Sequence, residues 1–169
     1  MTFQIIQGDL FDPAHNFEAL AQGVNTRGIM GAGIAVKFRE DYPEMYEDYK
    51  ALCLKHGDAL GGLVHIWVPE MTVSDPYMSE DGCPVIEFDS GTTIYNMFSQ
   101  IDPGANANYS LLYKAAIAVH QHAEENLFDR VGLPWIGAGI GGLERHNVKH
   151  VFEYVFADSK VEFVLVERD

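Results

Sequence analysis

Two glycine-rich segments constrain this chain more than any other feature. The first runs from Gly23 to Phe38, where an apolar lead-in (Ala19, Leu20, Ala21, Val24) ends at the polar Asn25. Gly28, Gly31 and Gly33 then punctuate a turn, and a helix-like run starts at Ile34. The second is Gly137-Ala138-Gly139-Ile140-Gly141-Gly142, which follows the apolar stretch Val131 to Ile136 and precedes a helical stretch from Val148 to Phe156. Glycine permits positive φ and lets a ligand approach a backbone that carries no Cβ. Successive amides in such a turn, just before a helix, form a concavity suited to phosphate. Two loops of this kind, each between a buried strand and a helix, suggest one pyrophosphate held from both sides.

The remaining pattern alternates strand and helix. Phe3 to Gln7 reads as a strand, and Asp12 to Asn16 as a loop or short helical turn. Ile34 to His56 is helical and divided by Pro43, because proline removes a helical donor and clashes with the preceding turn. Gly57 stops the second helix. Leu63 to Val68, Thr92 to Phe98 and Val161 to Val166 read as further strands. Tyr109 to Leu127 is a helix, with Leu112, Ala115, Ala116, Val119 and Ala123 at helical spacing. Glu70 to Gly91, rich in turn formers and acids, is expected to be a protruding hairpin or elaborated loop. The expectation is a single α/β domain over residues 1–169, with an insertion at about 70–91. In such sheets ligands bind outside the strand ends.

Composition narrows the function classes. A formal net charge of −14 argues against general nucleic-acid binding, which needs clustered Lys and Arg. Cys53 and Cys83 have no metal-type spacing and read as reduced thiols of a cytoplasmic protein. No apolar run approaches the ~18 residues of a membrane span. His120 and His122 are placed on the polar side of their helix. His146 and His150, at i and i+4, have no third ligand in sight, so no metal is expected, and no cofactor. Gly137, Gly139 and Gly142 match the dinucleotide pattern G-x-G-x-x-G. With 27 residues after Gly142, a second mononucleotide-binding half is not expected, which sets a Rossmann oxidoreductase aside.

Taken together, several segments resemble a macrodomain, an ADP-ribose-binding module. They are Gln7-Gly8-Asp9-Leu10, Val24-Asn25-Thr26 with Met30 to Ala35, Asn96-Met97-Phe98-Ser99-Gln100, and Leu133 to Leu143. The form Met30-Gly31-Ala32-Gly33-Ile34-Ala35-Val36-Lys37-Phe38 is similar to a sub-branch of that family. The sub-branch includes terminal ADP-ribose glycohydrolases, antitoxins that remove ADP-ribose from DNA, and the yeast-type ADP-ribose 1″-phosphate phosphatase. The resemblance implies a three-layer α/β/α fold around a mixed sheet of about six strands.

It also implies roles. Asp9 would bind the adenine amino group with Leu10 beside it, although from local sequence an Asx turn or cap competes for Asp9. Asn25 would bond the distal ribose, against the alternative of a strand-end cap. Met30, Gly31, Ala32, Gly33 and Ile34 would hold one side of the diphosphate, and Gly137, Ala138, Gly139, Ile140, Gly141, Gly142 and Leu143 the other. The partner would be ADP-ribose or an ADP-ribosylated macromolecule, and the protein a monomer.

Three departures bear on chemistry. Gln100 stands where glycohydrolase relatives have lysine, Gly141 where the glycohydrolase has an acid, and Gln22 where the phosphatase has histidine. The expected activity is hydrolysis of ADP-ribose from a macromolecule, with Asn25 and Gln100 as catalytic residues and Asp102 near by. A non-catalytic module that binds ADP-ribose or a related NAD metabolite, and the ADP-ribose 1″-phosphate phosphatase, are the alternatives.

Overall fold

In a computed structural model, residues 3–70, 72–73, 75–86, 88–89 and 91–168 are described. The elements in chain order are β1 (Phe3–Gln7), β2 (Ala19–Gly23), α1 (Ile34–Asp41), α2 (Pro43–His56) and β3 (Val64–Trp67). Next come the short strands β4 (Thr72–Val73), β5 (Tyr77–Met78), β6 (Pro84–Val85) and β7 (Phe88–Asp89), followed by β8 (Thr93–Met97). The chain continues through α3 (Tyr109–Glu125), β9 (Arg130–Leu133), α4 (Arg145–Val155) and β10 (Glu162–Glu167).

The main sheet has the order β1-β10-β9-β2-β8-β3. All neighbours pair in parallel except β3, which runs antiparallel to β8. Side chains of a strand alternate between faces, and this sheet is buried on both. Ala19, Ala21, Tyr95, Met97, Phe163 and Leu165 pack with Leu112, Ala116, Val148 and Phe152 of α3 and α4. Their chain neighbours Leu20, Ile94, Val164 and Val166 pack with Phe38, Met45 and Tyr49 of α1 and α2 on the other face. That is the expected three-layer α/β/α arrangement with a mixed sheet.

Local chemistry sets the boundaries. Pro43 opens α2, with only Tyr42 between it and the end of α1, and Gly57 closes it at φ 52°. The Asn108 side chain accepts from the amides of Ser110 (2.8 Å) and Leu111 (3.2 Å), capping α3. Residues 13–15 form a single 3₁₀ turn capped by Asp12. Two expectations need correction. β9 ends at Leu133, because Pro134 lacks the donor to continue a ladder, so residues 134–136 join the following loop. His120 and His122 are not on a polar face: both are part-buried, against Phe156 and Phe163 and against Tyr95 and Phe128 respectively. In the stretch 70–91, β4 pairs with β7 and β5 with β6, both antiparallel.

Candidate functional site

The site follows from the connectivity of two neighbouring strands. β2 and β9 are parallel and adjacent. The chain leaving β2 passes to α1 on one face, whereas the chain leaving β9 passes to α4 on the other. Connections that diverge in this way open a crevice at the carboxyl ends of the strands. A cleft of about 380 Å³ occupies that place. Its wall comes from the ends of β2, β8 and β9 and from both glycine loops.

The first loop is built around Asn25. Its Nδ2 donates to Ile29 O at 2.8 Å, and its Oδ1 accepts from the amides of Arg27 (3.0 Å) and Ile29 (3.3 Å). The Tyr49 hydroxyl, fully buried in α2, lies 2.6 Å from Asn25 O and 3.1 Å from its Oδ1. Asn25 therefore closes its own turn, as a strand-end cap does, and it also forms part of the cleft wall. Gly33 then starts α1 at φ 62°, a conformation that costs glycine little, and supplies no side-chain cap. Val36 N turns back to Gly33 O at 3.3 Å, while the amides of Ile34 and Ala35 have no partner among the described residues and can meet an anion.

The second loop folds on itself through Ala138 N to Trp135 O (3.2 Å), Gly142 N to Gly139 O (3.3 Å) and Leu143 N to Gly137 O (2.8 Å). Among the described residues, no partner takes up the amides of Gly139, Ile140 and Gly141, all three of which line the cleft. Gly141 also makes a close approach that only glycine permits. A Cβ there would lie 2.6 Å from Gly137 O and 2.9 Å from Ala107 Cβ. An acidic side chain at this position has no room in this loop.

The residues named from sequence divide into two groups. Asn25, Met30, Gly31, Ala32, Gly33, Ile34, Gln100, Gly137, Gly139, Ile140 and Gly141 line the cleft. Asp9, Leu10, Ala138, Gly142 and Leu143 do not. Asp9 is exposed at the end of β1, with Oδ1 accepting from Phe11 N at 3.0 Å, an Asx turn. Leu10 is buried in the α1–α2 core layer. Gly142 packs over Ala105, and Leu143 packs over Gly137.

Gln100 donates from Nε2 to Asp102 O at 2.9 Å, which leaves Oε1 as an acceptor. The Asp102 carboxylate is turned to Arg27 at 2.8 Å, and Arg27 also meets Asp58 at 2.7 Å. It is no part of the cleft wall. Gln22 lies beneath the cleft, fully buried, with Nε2 2.9 Å from Asn96 Oδ1 and Oε1 without a partner among the described residues. Asn96 in turn contacts Nδ1 of His65 at 3.1 Å. Burial lowers the His65 pKa from its ordinary value, with a smaller opposing influence from Asp48.

Ser99, Pro103, Gly104, Trp135 and Arg145 also line the cleft and were not singled out as site residues from the sequence. Ser99 and Trp135 stood inside the resembling segments, so position relative to the glycines was a usable signal. Arg145 carried none. Ser99 Oγ, like Gln22 Oε1, is buried without a partner among the described residues.

The crevice between diverging connections, walled by two glycine loops, is that of a macrodomain fold, and solved structures match it over nearly the whole chain. The macrodomain of Mycobacterium tuberculosis DarG is 25% identical, with a TM-score of 0.76 over 97% of this chain and 96% of that one. Thermosipho africanus DarTG in complex with ADP-ribose is 17% identical, with a TM-score of 0.77 over 98% of this chain and 41% of that one. In sequence, the chain is 28% identical over 132 residues to a Mycobacterium tuberculosis DNA ADP-ribosyl glycohydrolase, covering 78% of this chain. It spans 33% of that relative's length. No family model matches.

Proposed function

We propose that the cleft binds ADP-ribose and that the protein hydrolyses ADP-ribose from a modified macromolecule. The observation that carries the binding step is the pair of loops lining one crevice, each with backbone amides that have no partner among the described residues. Such amides hold a diphosphate without any lysine. The similarity to a DNA ADP-ribosyl glycohydrolase supports the same reading. Asp9 and Leu10 belong to the adenine end in this proposal, and Ala138, Gly142 and Leu143 hold the second loop in shape.

Arg145 is the only charged side chain in the described cleft wall, so no side chain there is an evident general base. In the hydrolytic reading a water sits between the diphosphate and the distal ribose. Asn25 orients the sugar and Gln100 Oε1 accepts from the water, whose oxygen bonds to the anomeric carbon of the distal ribose as the bond from that carbon to the macromolecule breaks. A phosphate oxygen of the substrate takes the water proton, and the leaving atom is protonated from solvent. Orientation of this kind supplies several kcal/mol of barrier reduction, on the order of 7 or more in well-aligned cases. The binding unit is residues 1–169 acting as a monomeric, cytoplasmic macrodomain, with residues 70–91 as an elaboration.

A second reading, a non-catalytic ADP-ribose reader, is favoured by the tie of Gln100 to Asp102 O and by the space lost at Gly141. One experiment separates the two. ADP-ribose is titrated calorimetrically into the wild type and into Gly139→Val, and release from ADP-ribosylated DNA, ADP-ribosylated protein and ADP-ribose 1″-phosphate is followed. A Cβ at Gly139 meets nothing within 4 Å, so the added side chain starts in open space on the cleft wall, and circular dichroism checks that the variant is folded. Micromolar binding lost in the variant, with release from a macromolecule that Gln100→Ala abolishes, supports the hydrolase. Binding without release from any substrate leaves the reader. A folded wild type that does not bind overturns both.

A further inference from the structure

Cations elsewhere around the first loop are already engaged. Arg27 meets Asp58 and Asp102, and Lys37 meets Asp41 at 3.0 Å. Arg145, the one charged side chain of the described cleft wall, is placed differently. It is the first residue of α4, and that end of the helix is anchored. The Tyr109 hydroxyl accepts from Glu144 N at 3.0 Å and from Asn147 Nδ2 at 3.2 Å.

The Arg145 guanidinium lies over the Trp135 ring, 5.3 Å from its centroid. Its Nη1 is 3.4 Å from Glu167 Oε2. Shorter bonds already occupy that carboxylate: Trp135 Nε1 donates to Oε2 at 2.7 Å, and Gln7 Nε2 donates to Oε1 at 2.6 Å. Glu167 and the indole therefore fix where the guanidinium stands, with one Nη1 donor turned to the carboxylate at 3.4 Å. A guanidinium has five N–H donors in a rigid fork that matches phosphate oxygens, and stacking on an aromatic face preorganises it. The side chain is 62% exposed, so its donors remain reachable.

We infer that Arg145 is a specificity-determining residue, which contacts a phosphate group of the nucleotide in the cleft. This rests on the reading of the cleft as a nucleotide site. The amides of the two loops offer dipoles only, and the chain as a whole carries a net charge of −14. Arg145, although paired with Glu167 outside the wall, brings the one cationic side chain of the described cleft wall to a polyanion. The phosphate is either part of the ligand's diphosphate or a phosphomonoester on its adenosine ribose.

The test titrates the full chain with ADP-ribose and with ADP-ribose 2′-phosphate, in about 50 and about 500 mM salt. Wild type, Arg145→Gln and Arg145→Lys are compared, with tryptophan fluorescence and calorimetry as readouts. Arg145→Gln is expected to weaken binding by roughly tenfold or more and to flatten its salt dependence, with Arg145→Lys intermediate. Weakening toward ADP-ribose identifies the diphosphate as the contact. Weakening toward the 2′-phosphate alone identifies the ribose phosphomonoester. Binding of both ligands within twofold of wild type in a folded Arg145→Gln overturns the inference while leaving the nucleotide site standing. No binding of either ligand by the wild type overturns the nucleotide reading and this inference with it.

Discussion

Gly141→Ala tests whether the second loop is held in shape by the absence of one methyl group. The added Cβ would sit 2.6 Å from Gly137 O and 2.9 Å from both Gly137 Cα and Ala107 Cβ. These separations are about 1 Å short of the ~3.5–4.0 Å optimum for such contacts. Two of the three neighbours are backbone, so a rotamer change offers no relief. Overpacking of this kind costs about 1–3 kcal/mol. Gly137 O also accepts from Leu143 N at 2.8 Å, and loss of that bond adds about 0.5–1.5 kcal/mol. The sum is roughly 2–4 kcal/mol, which for a chain of this size lowers Tm by about 5–15 °C.

The assay is thermal melting beside ADP-ribose titration, with Gly139→Ala as the control, since its Cβ meets nothing within 4 Å. The control should melt within a couple of degrees of wild type, because an unobstructed substitution changes stability by only about 0.5 kcal/mol. Gly141→Asp should show the same loss and no gain in turnover, even though it places an acid in the second loop. A Gly141→Ala protein that melts and binds like wild type would refute the reasoning. It would mean that the loop relaxes at little cost.

Two further outcomes follow from the neighbourhood of the cleft. Tyr49→Phe keeps the ring stacked on Phe98 at 6.0 Å but removes the buried hydroxyl 2.6 Å from Asn25 O. It should cost about 1–3 kcal/mol in chemical denaturation and weaken ADP-ribose binding, and unchanged affinity would free Asn25 from that support. His65 makes stability depend on pH. Its folded pKa lies below the ordinary 6.5, so the unfolded chain takes up the proton first as pH falls. The stabilisation is whole above that value, is lost as pH drops from about 6.5 toward the folded pKa, and levels off below it. His65→Asn places an amide oxygen near the position of Nδ1 and should remove this component. Equal denaturation midpoints for the two proteins across that window, apart from a constant offset, would count against it.

Much of the architecture was legible in one dimension. Strand and helix differ in hydrophobic period, and Pro43 and Gly57 act through local chemistry that needs no tertiary partner. The glycine loops could be read for the same reason, since a backbone free of Cβ atoms is a property of the chain itself. Other features depended on which segments meet. Pro134 ended β9 earlier than its apolar run suggested, and His120 and His122 proved part-buried because β10 and the strand carrying Tyr95 lie under α3. Asn25 shows the boundary most sharply. The sequence by itself placed an amide at a strand end between apolar residues and glycines. Only the fold brings Tyr49 from α2 against it and divides its hydrogen bonds between the turn and that hydroxyl. Arg145 lies further beyond sequence reading. Its importance comes from Trp135 and Glu167, and a charge on a helix carries no local mark of what lies across a sheet from it.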